Sequence, residues 1–507
     1  MKRFTPAVLT VGLLTACAAQ ASPTTWITVG DAAYAKLQAA APQAIAKQSK
    51  QGQGKEKVHL VQVDEAAIQK LSAAIHKELK RCGGFMVHAS EEEGRQALAK
   101  ANMVQPLALA ASRPSYTIDN QTTVNGMLPS LQASNIAQTI IDLSNFANRY
   151  YRTTNGANAS NWLAQKWTAM AAGRSDISVT QFTHSGYNQK SVIMTINGTD
   201  NGSEVVVMGG HLDTINMSGN GETSRSPGAD DDASGIASLT EAARAMIASG
   251  YKPRRTIKII GYAAEEAGLL GSKDIAANFK ANNVNVVGVL QLDMTNYRGS
   301  AKDIWIYTDY TDSQQNTFLA SLVSAYTPTV TVGYSACGYA CSDHASWHNQ
   351  GYPASFPFET LDGQDNPHIH TANDTYANSG NQADHALKFA KLAAAYAVEL
   401  GSDGPGVIGG DTVQTFSGSL ALNQKANFGP FKAGVGTFKA EVTGTGDVDL
   451  YVRKGSAPTT TSYSCKSDGA TSTETCSVSI TANGDVYVML NGYKASTYNL
   501  KVTYRPQ

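Results

Sequence analysis

The stretches EVVVMGGHLDT, residues 204–214, and SPGADDDASGIASLTEAARAM, residues 226–246, decide the fold. Glu204–Met208 is an apolar, β-branched run, which predicts a buried strand with His211 and Asp213 on one side just past its carboxyl end. Apolar residues then recur at helical spacing at Ile236, Leu239, Ala243 and Met246. We therefore predict strand, loop and helix, with acidic residues at the junction where open α/β sheets place their sites.

Three adjacent carboxylates, Asp230, Asp231 and Asp232, stand immediately before this helix. They repel one another, and a helix that needed only an N-cap would use one of them. A bound cation would resolve the repulsion, so the segment is a candidate metal site.

Length and charge limit the possible functions. A chain of 507 residues allows about three domains. Its formal net charge of −1 and pI near 6.8 provide no electrostatic argument for binding nucleic acid or an anionic membrane.

The N-terminus predicts export. Lys2 and Arg3 precede an apolar run, and Ala19-Gln20-Ala21 offers a small-x-small cleavage site, so residues 1–21 read as a signal peptide. The run is too short to span a membrane. We expect a secreted protein with no membrane attachment after maturation. The alternative is that Leu14-Thr15-Ala16-Cys17 is a lipoprotein box, which would leave the protein lipid-anchored at Cys17.

Export favours disulfides, and close spacing makes Cys337 with Cys341 and Cys465 with Cys476 the natural pairs. Cys82 is left over, which suggests that its segment is not part of the mature protein. Cys337 and Cys341 could instead form a structural zinc site with His344 and His348, but exported thiols so close in sequence would be oxidised.

Composition and sequence pattern divide the chain after residue 21 into four segments. Residues 22–117, with helical periodicity from Ile68 to Leu79 and a Pro/Ala/Ser-rich end open to proteolysis, predict a helical propeptide. The alternative is a permanent helical accessory domain.

In residues 118–401 strand and helix patterns alternate as in a layered α/β domain. A Gly-rich linker, residues 402–410, leads into residues 411–507, whose short alternating strands predict a small all-β sandwich.

Five segments of the α/β domain end in groups that suit a metal, and together they make a stronger case than any one of them: His211 with Asp213, Asp231, Glu265 with Glu266, Asp293, and His370. Glu265 and Glu266 follow a strand and should project to opposite sides, so one could bind metal while the other holds a water. Asp293 ends an apolar run, where a carboxylate is costly to bury without a cation.

The number of ligands predicts the number of metals. A catalytic zinc needs about three protein ligands, whereas this set offers two imidazoles and at least three carboxylates. Shared between two metals with one bridging Asp, each ion would have three ligands. Mixed N and O donors suit zinc better than calcium, with cobalt or manganese as substitutes. Asp213 is expected to accept the other N–H of the His211 imidazole.

The motifs GGHLDT, PGADDDASG, YAAEEAGLLGS, LQLDMTNY, CGYACSDHASWHNQGYP and IHTANDT resemble those of the zinc-dependent bacterial leucyl aminopeptidases, over roughly residues 122–401. The resemblance implies a mixed, mostly parallel central sheet flanked by helices and two Zn2+ ions per catalytic domain. It places His211 and Asp293 on one zinc and Glu266 and His370 on the other, with Asp231 bridging them.

The same resemblance implies further roles. Glu265 would be the general base, and Tyr339, in a loop shaped by the Cys337–Cys341 disulfide, would stabilise the oxyanion. An apolar pocket would be walled by Met294, Tyr352, Phe356, Phe358 and Ile369. Because Phe356 and Tyr307 stand where relatives carry other apolar residues, the side-chain preference is less determined than the chemistry.

These roles predict a monomeric exopeptidase that acts on the N-termini of peptides and proteins, preferring apolar residues such as leucine. A metal-bridging hydroxide would attack the scissile carbonyl, with Glu265 moving the proton. The propeptide would act as an inhibitor or a folding aid. Residues 412–504, with GDVDLYVRKG and NGYKASTYNLKV, resemble the prepeptidase C-terminal domain of secreted bacterial proteases, which implies a role in export, solubility or surface binding.

Two alternatives give other functions. A single-zinc glutaminyl cyclase or a carboxypeptidase-like relative would share the fold, and the complete two-metal ligand set argues against the cyclase. A noncatalytic peptide-binding relative would be expected to lose ligands or the base, and Glu265 is present.

Overall fold

A computed structural model describes residues 24–52, 56–79, 84–101, 114, 116–402, 412–434, 436–481 and 484–505. The predicted signal peptide, Cys17, Cys82 and most of the predicted linker lie outside these residues. The chain divides into two units, residues 1–104 with Cys337–Cys341, and residues 105–336 with 342–507.

The first unit combines a sheet with helices. Its strands are β1 (Thr24–Gly30), β2 (Ala46–Gln51), β3 (Lys57–Asp64) and β4 (Phe85–His88), and its helices are α1 (Asp31–Ala40), α2 (Glu65–Ala74) and α3 (Glu91–Lys100). The antiparallel strands lie in the order β2-β3-β1-β4. The predicted helical periodicity is present in α2 and a π-turn at Ile75–Leu79. A purely helical propeptide was nevertheless an incomplete prediction, because the alternating apolar residues of β1 and β3 pack into a sheet core.

The α/β domain is built on an eight-stranded mixed sheet in the order β11-β10-β12-β9-β7-β8-β6-β5. The strands are β5 (Ile177–Phe182), β6 (Ser191–Ile196), β7 (Asn201–His211), β8 (Arg255–Tyr262), β9 (Asn285–Gln291), β10 (Ile304–Tyr307), β11 (Val332–Ser335) and β12 (Ala354–Phe358). Strands β8, β7, β9 and β12 run parallel at its centre. Strand β5 pairs antiparallel with β6, β6 with β8, and β10 with β12, whereas β10 and β11 pair parallel. This confirms the predicted mixed sheet.

Helices cover both faces of that sheet. They are α4 (Gln121–Met127), α5 (Ala133–Ser144), α6 (Thr154–Met170), α7 (Ala233–Ala248), α8 (Leu270–Ala281), α9 (Ser313–Tyr326), α10 (His344–Asn349) and α11 (Asp384–Ser402). In β7, Val206 and Met208 pack with α5, α7 and α11, whereas Val205 and Val207 pack with α8 and α10. The β-branched run is therefore buried on both sides, as expected of a central parallel strand.

The C-terminal region is an antiparallel β-sandwich, as predicted. Its strands are β13 (Thr412–Leu420), β14 (Lys425–Ala433), β15 (Gly436–Thr445), β16 (Val448–Lys454), β17 (Cys465–Ser467), β18 (Glu474–Ile480), β19 (Gly484–Gly492) and β20 (Ser496–Tyr504). They form two four-stranded sheets, β13-β20-β15-β18 and β14-β19-β16-β17. Side chains of both sheets, such as Phe438 and Val488, share one core.

Candidate metal centre

The carboxyl ends of the parallel strands bring the predicted ligands together. His211 ends β7, Asp293 follows β9, and Asp231 precedes α7. Nε2 of His211 lies 2.8 Å from Oδ1 of Asp231 and 3.5 Å from Oδ1 of Asp293. All three side chains are buried, so they form one compact donor group.

A second donor group shares Asp231. Nε2 of His370 lies 2.6 Å from Oδ2 of Asp231 and 2.9 Å from Oε1 of Glu266. In each group the candidate ligand atoms lie within 4.8 Å of one another. The two carboxylate oxygens of Asp231 therefore face different imidazoles, which is the arrangement of a bridging ligand.

Glu265 faces the same space. His211, Glu265 and Glu266 also offer ligand atoms within 4.8 Å of one another. The two glutamates follow β8, as predicted, but they lie in a turn and their carboxylates approach the same group of donors, so they do not project to opposite sides.

Asp213 fixes that turn. Its Oδ1 accepts from the backbone N–H of Glu265 at 2.9 Å, and its Oδ2 accepts from that of Glu266 at 3.2 Å. Nδ1 of His211 lies 3.2 Å from the backbone carbonyl of Asp213 and 3.5 Å from its carboxylate. The carboxylate thus binds the backbone of the glutamate pair and also lies beside the imidazole, as predicted, although the carbonyl of Asp213 is the nearer acceptor for Nδ1.

The three consecutive aspartates have separate roles. Asp232 caps α7 by accepting from Gly235 N at 2.8 Å, and it also accepts from the backbone N–H groups of His211 and Met294. Oδ2 of Asp230 accepts from the side-chain amide of Asn366 at 2.8 Å. Protein donors therefore hold Asp230 and Asp232, and of the three aspartates Asp231 is the candidate ligand that faces both imidazoles.

Buried charge dominates the electrostatics. Burial alone would lower the pKa of His370, but Glu266 and Asp231 raise it to about 10. Burial would also lower the pKa of His211. The carboxylates around it, Asp293 foremost, instead raise that pKa well above its usual value. Burial raises the pKa of Glu266 to about 7 and that of Glu265 well above its usual range. These shifts show a dense group of donors that compete for protons.

The donors fit divalent cations. Oδ1 of Asp293 and Oε2 of Glu266 are buried and have no hydrogen-bond partner among the described residues. Burying such oxygens without a donor is costly, and a cation would remove the cost. The four carboxylates of Asp231, Glu265, Glu266 and Asp293 carry four negative charges when ionised, which two dications would balance.

Three residues beside the centre have left-handed backbone. Ala264, Met294 and His370 adopt φ of 55°, 57° and 57°, a conformation that costs non-glycine residues about 1 kcal/mol or more. The N–H of Met294 is held by Asp232 at 3.0 Å and that of Ala264 by Gln189 at 3.3 Å. Hydrogen bonds therefore hold the strained backbone next to the donors.

The predicted pocket residues fall into two places. Met294 and Ile369 adjoin the ligands Asp293 and His370 in sequence, and Phe356 and Phe358 lie on β12 with ring centroids 5.3 Å apart. Tyr352 does not join them. It precedes β12, donates to the carbonyl of Val284 at 3.1 Å and packs on Trp347, at the opposite end of the sheet from the ligands.

Both predicted disulfides, Cys337–Cys341 and Cys465–Cys476, are formed. Because Cys337 and Cys341 are bonded to each other, they do not form the alternative zinc site with His344 and His348. His344 in addition directs its Nε2 to the carbonyl of Asp309 at 3.1 Å. The role of Tyr339 stays a prediction.

Comparison with known proteins identifies the family. Residues 191–397 match the model of peptidase family M28. Leucine aminopeptidase 1 of Arthroderma otae is 37% identical over 302 residues, which cover 56% of this chain and 78% of that protein. The chain belongs to peptidase family M28.

Other relatives agree with this placement of the M28 domain. A probable leucine aminopeptidase 1 of Trichophyton verrucosum is 36% identical over 341 residues, which cover 64% of this chain and 87% of that protein. The crystal structure of the LapA aminopeptidase of Legionella pneumophila is 33% identical, with a TM-score of 0.64 over 76% of this chain and all of that one. LapB from the same organism is 31% identical, with a TM-score of 0.62 over 75% of this chain and all of that one. Residues 432–492 match the bacterial pre-peptidase C-terminal domain.

Sequence reasoning missed three residues that support the centre of this M28 domain. Ser342 donates to Oδ2 of Asp293 at 2.6 Å. Asp374 accepts from the backbone of Asp231, and Arg149 binds the carbonyl of Gly228. A buried arginine within ANRYYRTT, residues 147–154, or an aspartate in a polar loop, carries no pattern that distinguishes it from a surface residue.

Proposed function

We propose that this chain is a zinc-dependent aminopeptidase that hydrolyses the N-terminal peptide bond of peptides and proteins, preferring apolar N-terminal residues, leucine foremost. Membership of the M28 family and relatives named leucine aminopeptidase support this activity. The observation that carries it is the double engagement of Asp231, with Oδ1 2.8 Å from His211 and Oδ2 2.6 Å from His370.

Two Zn2+ ions would be held by this chain, one by His211 and Asp293 and the other by Glu266 and His370, with Asp231 shared. Such cations supply Lewis-acid polarisation of a carbonyl and bring the pKa of water close to neutrality. The mixture of imidazole and carboxylate donors is what favours zinc.

Glu265 would act as the general base. It faces His211 without being needed as a ligand, and Asp213 holds its backbone. Its carboxylate takes a proton from the attacking water and returns that proton to the leaving amine.

The proposed function also includes secretion of the enzyme as a precursor. The signal peptide of residues 1–21 would direct secretion, and removal of residues 22–117 would release the catalytic domain. The match to a bacterial pre-peptidase C-terminal domain supports a secreted peptidase. Among the described residues, none of the helices has the length and apolar character needed to cross a bilayer.

The test is hydrolysis of leucine p-nitroanilide by the mature protein. We expect activity that a chelator abolishes, that zinc restores and that Glu265→Gln removes. Glu241→Gln is the matched control, because Glu241 is buried and binds Gln132 and Arg244 away from the centre. Equal cleavage of the N-acetylated substrate would show that the enzyme is not an aminopeptidase.

A further inference from the structure

Arg149 is buried behind the metal centre and joins two of its loops. It is 0% exposed. Its Nε donates to the carbonyl of Leu212 at 2.9 Å, Nη1 to that of Pro227 at 2.5 Å, and Nη2 to that of Gly228 at 2.8 Å. Leu212 follows His211 directly. One guanidinium therefore links the His211 loop to the start of the segment that carries Asp231.

Asp374 binds the same segment, Pro227–Asp231, at its other end. Its Oδ1 accepts from the backbone N–H of Asp230 at 3.0 Å and its Oδ2 from that of Asp231 at 3.1 Å. Its own carbonyl accepts from Ala229 N at 3.1 Å. Asp374 lies four residues after His370, so it connects the His370 loop to the backbone of the shared carboxylate.

The positive charge of Arg149 lies among buried aspartates. Burial lowers the pKa of Arg149 to about 10, against the opposing effect of Asp374 and the aspartates nearer the centre. The guanidinium thus stays positive near neutrality. Its donors go to backbone carbonyls, so its position depends on the course of the loops and not on a single ion pair.

We propose that Arg149 and Asp374 are positioning residues that together fix the backbone of Pro227–Asp231, so that the Asp231 carboxylate presents one oxygen to His211 and the other to His370. A shared ligand must satisfy two directions at once and therefore tolerates little backbone displacement. This inference rests on the proposed function, since it assumes that Asp231 bridges two metals.

Zinc affinity of the metal-stripped full chain tests the inference, measured for each equivalent by competition with a chromophoric chelator. Asp374→Asn and Arg149→Lys should each weaken both equivalents about 10- to 100-fold. The matched controls, which should bind zinc like the wild type, are Asp312→Asn and Arg255→Lys. Asp312 is buried and accepts from Gln314 N and Gln315 N at the start of α9, and Arg255 is buried against Glu204.

The outcomes separate the two claims. Wild-type affinity for both equivalents in Asp374→Asn and Arg149→Lys would overturn the inference and leave the proposed function intact. Loss of the near-ultraviolet circular dichroism of these variants without metal, in conditions where the controls keep theirs, would also overturn it, because the residues would then hold the domain together. A wild-type chain that binds no zinc would overturn the proposed function and the inference with it.

Discussion

The hydroxyl of Ser342 donates a hydrogen bond to Oδ2 of Asp293 over 2.6 Å, and both side chains are buried. The other oxygen, Oδ1, lies 3.5 Å from Nε2 of His211. One oxygen of this carboxylate is thus bound to the protein and the other faces the donor group. The serine therefore sets the direction in which Asp293 can bind a metal.

Ser342→Ala should release the Asp293 carboxylate and weaken one zinc equivalent about 10-fold, leaving the other unchanged. Only one donor group contains Asp293, so the effect should be confined to one ion. Chelator competition measures each equivalent. The control is Ser346→Ala, whose hydroxyl pairs with Ser272 at 2.8 Å. An equal loss of both equivalents would contradict the assignment of Asp293 to one ion.

Asp213→Asn should lower kcat about 10-fold or more with little change in KM. The amide keeps one acceptor and turns an NH2 group toward a backbone N–H, so the turn that carries Glu265 and Glu266 loses one of two bonds. Steady-state kinetics with leucine p-nitroanilide provide the measurement. A wild-type kcat would show that the turn keeps its position without this carboxylate.

Stability at acid pH should depend on Asp303. Burial raises the pKa of Asp303, but bonds from Lys388 and Thr331 outweigh that effect and bring the pKa to about 2, below the ordinary 3.8. The ionised group therefore stabilises the fold above its ordinary pKa, and this contribution is lost as the pH falls through the folded value. The Tm of wild type should exceed that of Asp303→Asn near pH 6, with a difference that vanishes toward about pH 2. A difference independent of pH would contradict this explanation.

The C-terminal sandwich should be dispensable for catalysis. Its two sheets enclose their own core, which is separate from the core of the α/β domain. A mature chain ending at Ser402 should therefore cleave leucine p-nitroanilide with the kcat/KM of the mature chain that keeps the sandwich. Circular dichroism should verify its fold, and a large fall in kcat/KM of a folded truncation would disprove independence.

Much of the α/β domain could be predicted from local patterns. Strands β7, β8 and β9 and helix α7 were predicted because apolar runs and helical spacing are strong where a segment is buried. Strand β12 was missed because ASFPF is short and contains Pro357, which is rare within strands. Strand β5 was missed because its burial is only partial, which weakens its alternation.

The candidate ligands were predictable for a different reason. His211, Asp231 and Asp293 stand at ends of central elements, where a buried polar residue needs an explanation. Arg149 and Asp374 were not predictable, because each acts by binding backbone groups of a loop distant in sequence. Only the folded chain shows which carbonyls and N–H groups come within reach.

Anomalous diffraction at the zinc edge from crystals of the zinc-loaded protein tests the central claim most directly. We expect two peaks with Asp231 bound to both, one completed by His211 and Asp293 and the other by Glu266 and His370. A single peak, or peaks that do not share Asp231, would contradict it.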